Sequence, residues 1–282
     1  MEGRPEIQPE PYYPPTYVPE PVERRPWWKG TLGVLGALAL VILKFGAKLK
    51  AVLLLLPKLK LFTTSASMLV SIGAYTLIWG WKFALGLVLL LLVHEMGHVW
   101  QARREGLQAS APLFIPFLGA AIALKELGKD AAVEARVGLA GPILGSLGAL
   151  VPLAIWLITG EDLFQALAFF GFFLNLFNLA PVLPLDGGRA MSALTPWMWL
   201  VGYALLVAAA FAFPNPIMLL ILLFGGLETY RRWKERKNPE QQRFYTLPAR
   251  TRWAVAVTYV GLALALVVGM EATVLERDFD DV

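Results

Sequence analysis

Cysteine is absent from the 282 residues, and histidine occurs only twice. The first absence excludes a disulfide framework, thiolate-ligated zinc, iron–sulfur clusters and cysteine nucleophiles. Charge is also scarce: 16% of residues are Asp, Glu, Lys or Arg, where a soluble domain carries about 25%. Apolar residues make up 57% of the chain. One soluble core of this length cannot hide that excess, so much of it must face lipid. An ordinary soluble enzyme is excluded. The net charge of +4 does not imply a nucleic-acid partner, because basic residues in a membrane chain mark its cytoplasmic loops.

Residues 1–26 interleave prolines with Glu and Tyr and lack the apolar mass that ordering requires. They read as a disordered, proline-rich cytoplasmic tail, without the basic-then-apolar pattern of a signal peptide. Further on, segments near 66–82, 83–103, 131–158, 163–184, 197–213, 215–229 and 252–270 approach the roughly 20 apolar residues of a span. The expected fold is therefore an all-α polytopic membrane protein with about seven transmembrane helices. Lys44, Lys48, Lys50, Lys58 and Lys60 precede the first span and place its start in the cytoplasm. Alternation then puts Arg103 and Arg104, Arg189, and the basic run from Arg231 to Lys237 on the same side. Residues 27–65 read as an interfacial or re-entrant segment, or as an extra span. Residues 66–230 form the membrane core, 231–251 a basic cytoplasmic loop, and 252–282 a last span with an acidic tail. This pattern suits a multi-pass protein of a prokaryotic plasma membrane.

Both histidines lie in His94-Glu95-Met96-Gly97-His98, at the end of the apolar run from Phe83 to Val93. Four residues apart on a helix, they share one face. Two imidazoles so placed can hold one zinc ion, with the glutamate as general base toward water. A satisfied polar pair or a proton relay is the plainer reading. Against it stands the cost of ionisable groups in an apolar helix, at least about 2.5 kcal/mol per charge on insertion scales.

Catalytic zinc takes three protein ligands and keeps one position open. Without another histidine or any cysteine, the third ligand must be a carboxylate: Glu134, Asp186 or Glu228. Asp186 stands out because Pro181 and Pro184 interrupt the helix before it, and unwound backbone at membrane depth normally lines a cavity. Gly187 and Gly188 permit a close backbone path. The alternative for Asp186 is a helix N-cap.

These residues resemble the site-2 protease family of intramembrane zinc metalloproteases, of the bacterial and archaeal type without a PDZ domain. The resemblance rests on H-E-M-G-H, on Asn178-Leu-Ala-Pro-Val-Leu-Pro-Leu-Asp186-Gly-Gly, and on Ala140-Gly141-Pro142, similar to the family's small-residue turn within the helix between the two motifs. It implies that His94, His98 and Asp186 hold one Zn2+ per chain, that Glu95 is the general acid/base, and that Asn178 hydrogen-bonds the substrate. It further implies cleavage of a membrane-protein substrate, such as an anti-sigma factor or membrane-tethered regulator, within or near a transmembrane segment; the placement of the basic residues predicts a site toward the cytoplasmic side.

Ala111 to Leu124 is too short and proline-broken to span, yet too apolar for a loop in water. A membrane-dipping hairpin fits, similar to the family's hairpin near its active site. We expect Phe114 to Ala121, with Gly119, to bind unwound substrate by strand addition; an inert interfacial plug is the alternative. Two other readings of the chain remain at this stage. One is a prenyl-protein processing protease with Glu134 or Glu228 as third ligand. The other is a metal-binding regulator or transporter without turnover.

Overall fold

The computed structural model describes residues 60–126, 128–195, 197–212, 216–235 and 238–275. The proline-rich stretch, most of the segment 27–65, Pro214, Asn215 and the acidic end lie outside the described residues.

The described chain is mostly helical, with one short β-hairpin. Helix α1, Lys60–Trp79, begins inside the segment expected to be interfacial. It packs on α2, Trp81–Arg104, across the single residue Gly80, whose φ of +78° suits glycine. Strands β1, Leu113–Ile115, and β2, Gly119–Ala121, pair antiparallel with Phe114 opposite Ala120. Helix α3, Ala131–Thr159, starts at Asp130, whose carboxylate accepts from the Val133 amide at 2.9 Å, and ends at Gly160 in the left-handed region. Helices α4, Asp162–Asn178, and α5, Asp186–Met191, are separated by the proline-containing loop 179–185. Then follow α6, Trp197–Ala212, α7, Pro216–Glu235, α8, Pro239–Tyr245, and α9, Ala249–Glu271.

Among the described residues, four helices are long and apolar enough to cross a membrane: α1, α2, α3 and α9. Helices α4 and α6 are apolar but shorter, and α7 ends in the charged stretch Glu228–Glu235. Large apolar side chains stand outermost on these helices, with Leu77 88% and Ile158 84% exposed. Such surfaces have no place in water and match a lipid environment. The expected loop 231–251 is structured: α7 runs into it, and α8 follows.

One core cluster forms where α3, α4, α5 and α9 meet. Leu139 of α3, Phe172 of α4 and Leu266 of α9 are all buried in one cluster. A second cluster joins Tyr75 of α1, Phe83 and Leu87 of α2 and Phe114 of β1, so the hairpin is seated on the first two helices. Ala140-Gly141-Pro142 lies within a helix, as expected of it; α3 continues through Pro142 and Pro152. The small residues serve close approach. A Cβ on Gly97 of α2 would collide with the Ala140 carbonyl of α3, so the two backbones touch beside the histidines.

Candidate metal centre

Helix periodicity brings His94 and His98 to one face of α2, where both are buried against α3 and α4. The loop 179–185 and the start of α5 bring Asp186 to the same point. Its Oδ2 lies 3.1 Å from His94 Nε2 and 3.0 Å from His98 Nε2, and the two Nε2 atoms are 3.1 Å apart. Among the described residues, these three form the one group of His, Asp and Glu side chains able to share a metal ion.

The other ring nitrogens decide what the cluster can bind. His98 Nδ1 donates to the Val137 carbonyl of α3 at 2.7 Å. His94 Nδ1 donates to Asn175 Oδ1 at 2.8 Å, while the Asn175 amide donates to the Gly171 carbonyl at 2.7 Å, fixing which way the amide faces. With both Nδ1 atoms committed as donors, each neutral imidazole turns the lone pair of Nε2 toward Asp186. Two imidazole lone pairs and a carboxylate oxygen, packed without a proton between them, repel unless a cation lies among them. Zinc bonds of about 2.0–2.1 Å in a tetrahedral set need ligand atoms about 3.3 Å apart. The observed 3.0–3.1 Å separations fit that ion with a small expansion.

Small residues make room for this arrangement. A Cβ on Gly141 would overlap the His98 imidazole, and one on Gly145 would overlap the Asn175 side chain. Gly187 abuts the Leu179 carbonyl; its backbone is ordinary helix, so close approach rather than an unusual backbone path explains that glycine. The loop is held by Trp199 Nε1, which donates to the Gly188 carbonyl at 2.8 Å, and by the Tyr259 hydroxyl, which donates to the Leu179 carbonyl.

Asp186 is the first residue of α5 and its carboxylate faces the histidines, so it caps no helix; Leu185 holds the N-cap position without a side-chain bond. The other two carboxylate candidates are taken elsewhere. Arg232 binds Glu134 through two hydrogen bonds of 3.0 and 2.9 Å, and Arg231 and Arg232 both hold Glu228. The reading with Glu134 or Glu228 as third ligand therefore loses its premise. Glu95, buried between the two histidines, makes no hydrogen bond or ion pair among the described residues.

Asn178 donates its amide to the Leu174 carbonyl at 2.9 Å and borders a narrow cleft with His94 and Asn175. The residue that touches a ligand is Asn175, one turn earlier. An isolated amide within Phe169–Phe177 was its signal, since a polar group in such a run must find a partner.

Phe114 is 3% exposed and lies in the core, so its side chain anchors the hairpin rather than facing a substrate. Its N–H donates to Ser67 Oγ at 3.1 Å, and the Pro112 carbonyl accepts from Thr64 Oγ1 at 2.7 Å. Antiparallel strands alternate, so the N–H and C=O of Ala120, opposite Phe114, turn outward on the far edge of β2. Gly119, with φ +90°, and Phe117, with φ +65°, turn the chain between the strands.

Taken together, these features define a polytopic helical membrane protein with a buried centre of two histidines and one carboxylate. Residues 82–162 match the family model described as peptidase family M50. The chain is 30% identical over 162 residues to zinc metalloprotease MJ0392 of Methanocaldococcus jannaschii, covering 56% of this chain and 46% of that protein. It is 31% identical over 153 residues to Rip3 of Mycobacterium tuberculosis, provisionally named a zinc metalloprotease, covering 49% of this chain and 38% of that protein. The chain thus matches less than half the length of these curated relatives. The matched segment carries H-E-M-G-H, and these likenesses support the M50, or site-2 protease, family for it.

Proposed function

We propose that this chain is an intramembrane zinc metalloendopeptidase that hydrolyses peptide bonds within or near transmembrane segments. The observation that carries the reading is the convergence of His94 Nε2, His98 Nε2 and Asp186 Oδ2, with the buried, unpartnered Glu95 between the histidines. His94, His98 and Asp186 hold the Zn2+, one per chain. When bound, the ion polarises a carbonyl and lowers the pKa of water. Glu95 is the general base: it takes a proton from the attacking water and passes it to the leaving amine. With no hydrogen bond or ion pair taking up its carboxylate among the described residues, Glu95 is available for proton transfer. Asn175 and the Val137 carbonyl hold the two imidazoles in the ligating orientation.

In this reading α4, α6 and α7 cross the membrane with α1, α2, α3 and α9, giving about seven spans. In the same reading the metal centre faces the cytoplasmic side of a plasma membrane, which the distribution of basic residues supports. The domain boundaries follow the same scheme: a cytoplasmic tail over 1–26, an interfacial or extra span over 27–65, a catalytic core over 66–230, a basic segment over 231–251 and a last span with tail over 252–282. The substrate is a membrane protein, with an anti-sigma factor or membrane-tethered regulator as the class, and the bilayer is the other partner. Unwound substrate joins the outer edge of β2, starting from Gly119, where Ala120 offers a backbone donor and acceptor. Asn178, at the cleft beside His94, bonds the substrate near the cleaved amide.

Zinc content and cleavage of a model transmembrane substrate, measured side by side for wild type, Glu95→Gln and Asp186→Ala, test this reading. Glu95→Gln is expected to keep zinc and lose cleavage, and Asp186→Ala to lose both. Full activity in either variant removes the assignment. Zinc binding without turnover in wild type, on substrates of several sequences, leaves the metal-binding regulator.

A further inference from the structure

Arg189 follows Asp186 by one helical turn on α5, and its side chain is 20% exposed. Among the described residues its guanidinium makes a single charged contact, from Nε to Glu134 Oε1 at 4.0 Å, and no hydrogen bond. Glu134 is already neutralised by the two hydrogen bonds from Arg232. Glu228 is held by Arg232 at 2.9 Å and by Arg231 at 2.8 Å. This cluster sets three arginines against two glutamates; Glu95 is a further carboxylate whose charge Arg189 feels, yet no hydrogen bond among the described residues uses the Arg189 guanidinium. A guanidinium offers five N–H donors in a planar fork, and leaving them unused in a sequestered place is costly.

The space beside the guanidinium has a defined shape. Arg189 lines a cavity of about 380 Å³ with Leu183, Pro184, Phe224, Glu228 and Arg232. Leu183 and Pro184 belong to the loop that delivers Asp186, so the cavity lies against that loop. Its walls combine apolar side chains with one guanidinium free to bond in the plane, while Glu228 is held back by its own arginines.

We propose that this cavity is a carboxylate subsite, in which Arg189 grips a carboxylate through paired N–H···O bonds. The inference rests on the peptidase reading of the adjacent centre. Two groups carry that chemistry: an acidic side chain flanking the cleaved bond, and the carboxylate that hydrolysis creates. An arginine suits either because its fork matches the two oxygens, which a lysine cannot do.

The test uses the full-length, zinc-loaded protein in nanodiscs, and binding is measured apart from turnover. The probes are acetyl-leucyl-alanyl-alanine, its C-terminal amide, and the amides of acetyl-leucyl-glutamyl-alanine and acetyl-leucyl-glutaminyl-alanine. A newly formed carboxylate as natural occupant predicts that the free acid binds about tenfold more tightly than its amide. An acidic side chain predicts the same ratio for the glutamyl over the glutaminyl peptide. Either preference must vanish in Arg189→Gln with zinc content unchanged, which separates the guanidinium from direct binding of the acid to zinc. Arg189→Lys should keep only part of it. Equal binding of both pairs by wild type, or a preference that survives Arg189→Gln, overturns the subsite. A carboxylate preference in a protein that cleaves no substrate supports the subsite and removes the peptidase reading, so the two failures are distinct.

Discussion

His94 Nδ1 and Asn175 Oδ1 are 2.8 Å apart, and the Asn175 amide is anchored in turn on the Gly171 carbonyl. This chain of two bonds reaches from α4 across to α2 and fixes the orientation of a metal ligand. Partners of this kind typically contribute 10–100-fold to metal affinity. Asn175→Ala is therefore expected to weaken zinc by about that factor in a chelator competition, while Asn175→Asp, which keeps an acceptor, stays closer to wild type. Wild-type affinity in Asn175→Ala would show that packing alone orients His94.

The His98 ring occupies the space where a side chain on Gly141 would begin. One methyl group there must displace the imidazole, because the opposite side of the ring is bound to the Val137 carbonyl. Gly141→Ala is expected to lose most of its zinc and to unfold at lower temperature. Gly261→Ala, in α9 with open space around it, is the control; there the gain in helix propensity is about 0.5–1 kcal/mol. Equal zinc content in the two variants would contradict the tight fit.

Residues governed by local periodicity were legible in the sequence. The spacing of His94 and His98 needs only a helix to become a ligand pair, and Asp186 drew attention because two prolines precede it in an apolar stretch. Most helices also fell near their expected positions. What escaped depends on contacts between distant segments. Asn175 gains its role from a histidine 81 residues away. Glu134 is withdrawn from the ligand candidates by an arginine 98 residues later. Ala140-Gly141-Pro142 was legible as a small-residue stretch within a helix, but not what it packs against: α3 meets α2 there, where Gly97 lets the backbones touch.

Arg232 joins α7 to α3 through Glu134, whose side chain is 2% exposed. Removing one partner of such a pair strands the other charge, typically at about 3–5 kcal/mol. Arg232→Met is expected to destabilise the protein by an amount of that order in detergent unfolding. The double variant Glu134→Leu with Arg232→Met should recover much of the loss, since an apolar pair of similar volume has no stranded charge. If the double variant is as unstable as the sum of the single ones, the two residues act independently and the ion pair is not what joins the helices.

Glu105, just past the end of α2, accepts from Arg136 of α3 at 2.6 and 3.0 Å, and from Gln101 at 2.8 Å. The Arg136 guanidinium holds the Glu105 carboxyl below its usual value. A carboxyl whose folded value is depressed binds its proton less readily in the folded state. Its stabilising effect is therefore complete above the unfolded value of about 4.3 and is lost as pH falls through the lower folded value. An ion pair this near the surface contributes about 1 kcal/mol or less. Glu105→Gln is accordingly expected to unfold at a lower temperature than wild type at pH 7, and the difference should close as both are acidified below pH 4. Taking the difference between the two proteins cancels the acid sensitivity of the metal ligands, which they share. A gap that persists unchanged at low pH would mean that the Gln101 hydrogen bond, rather than the charge on Glu105, ties the end of α2 to α3.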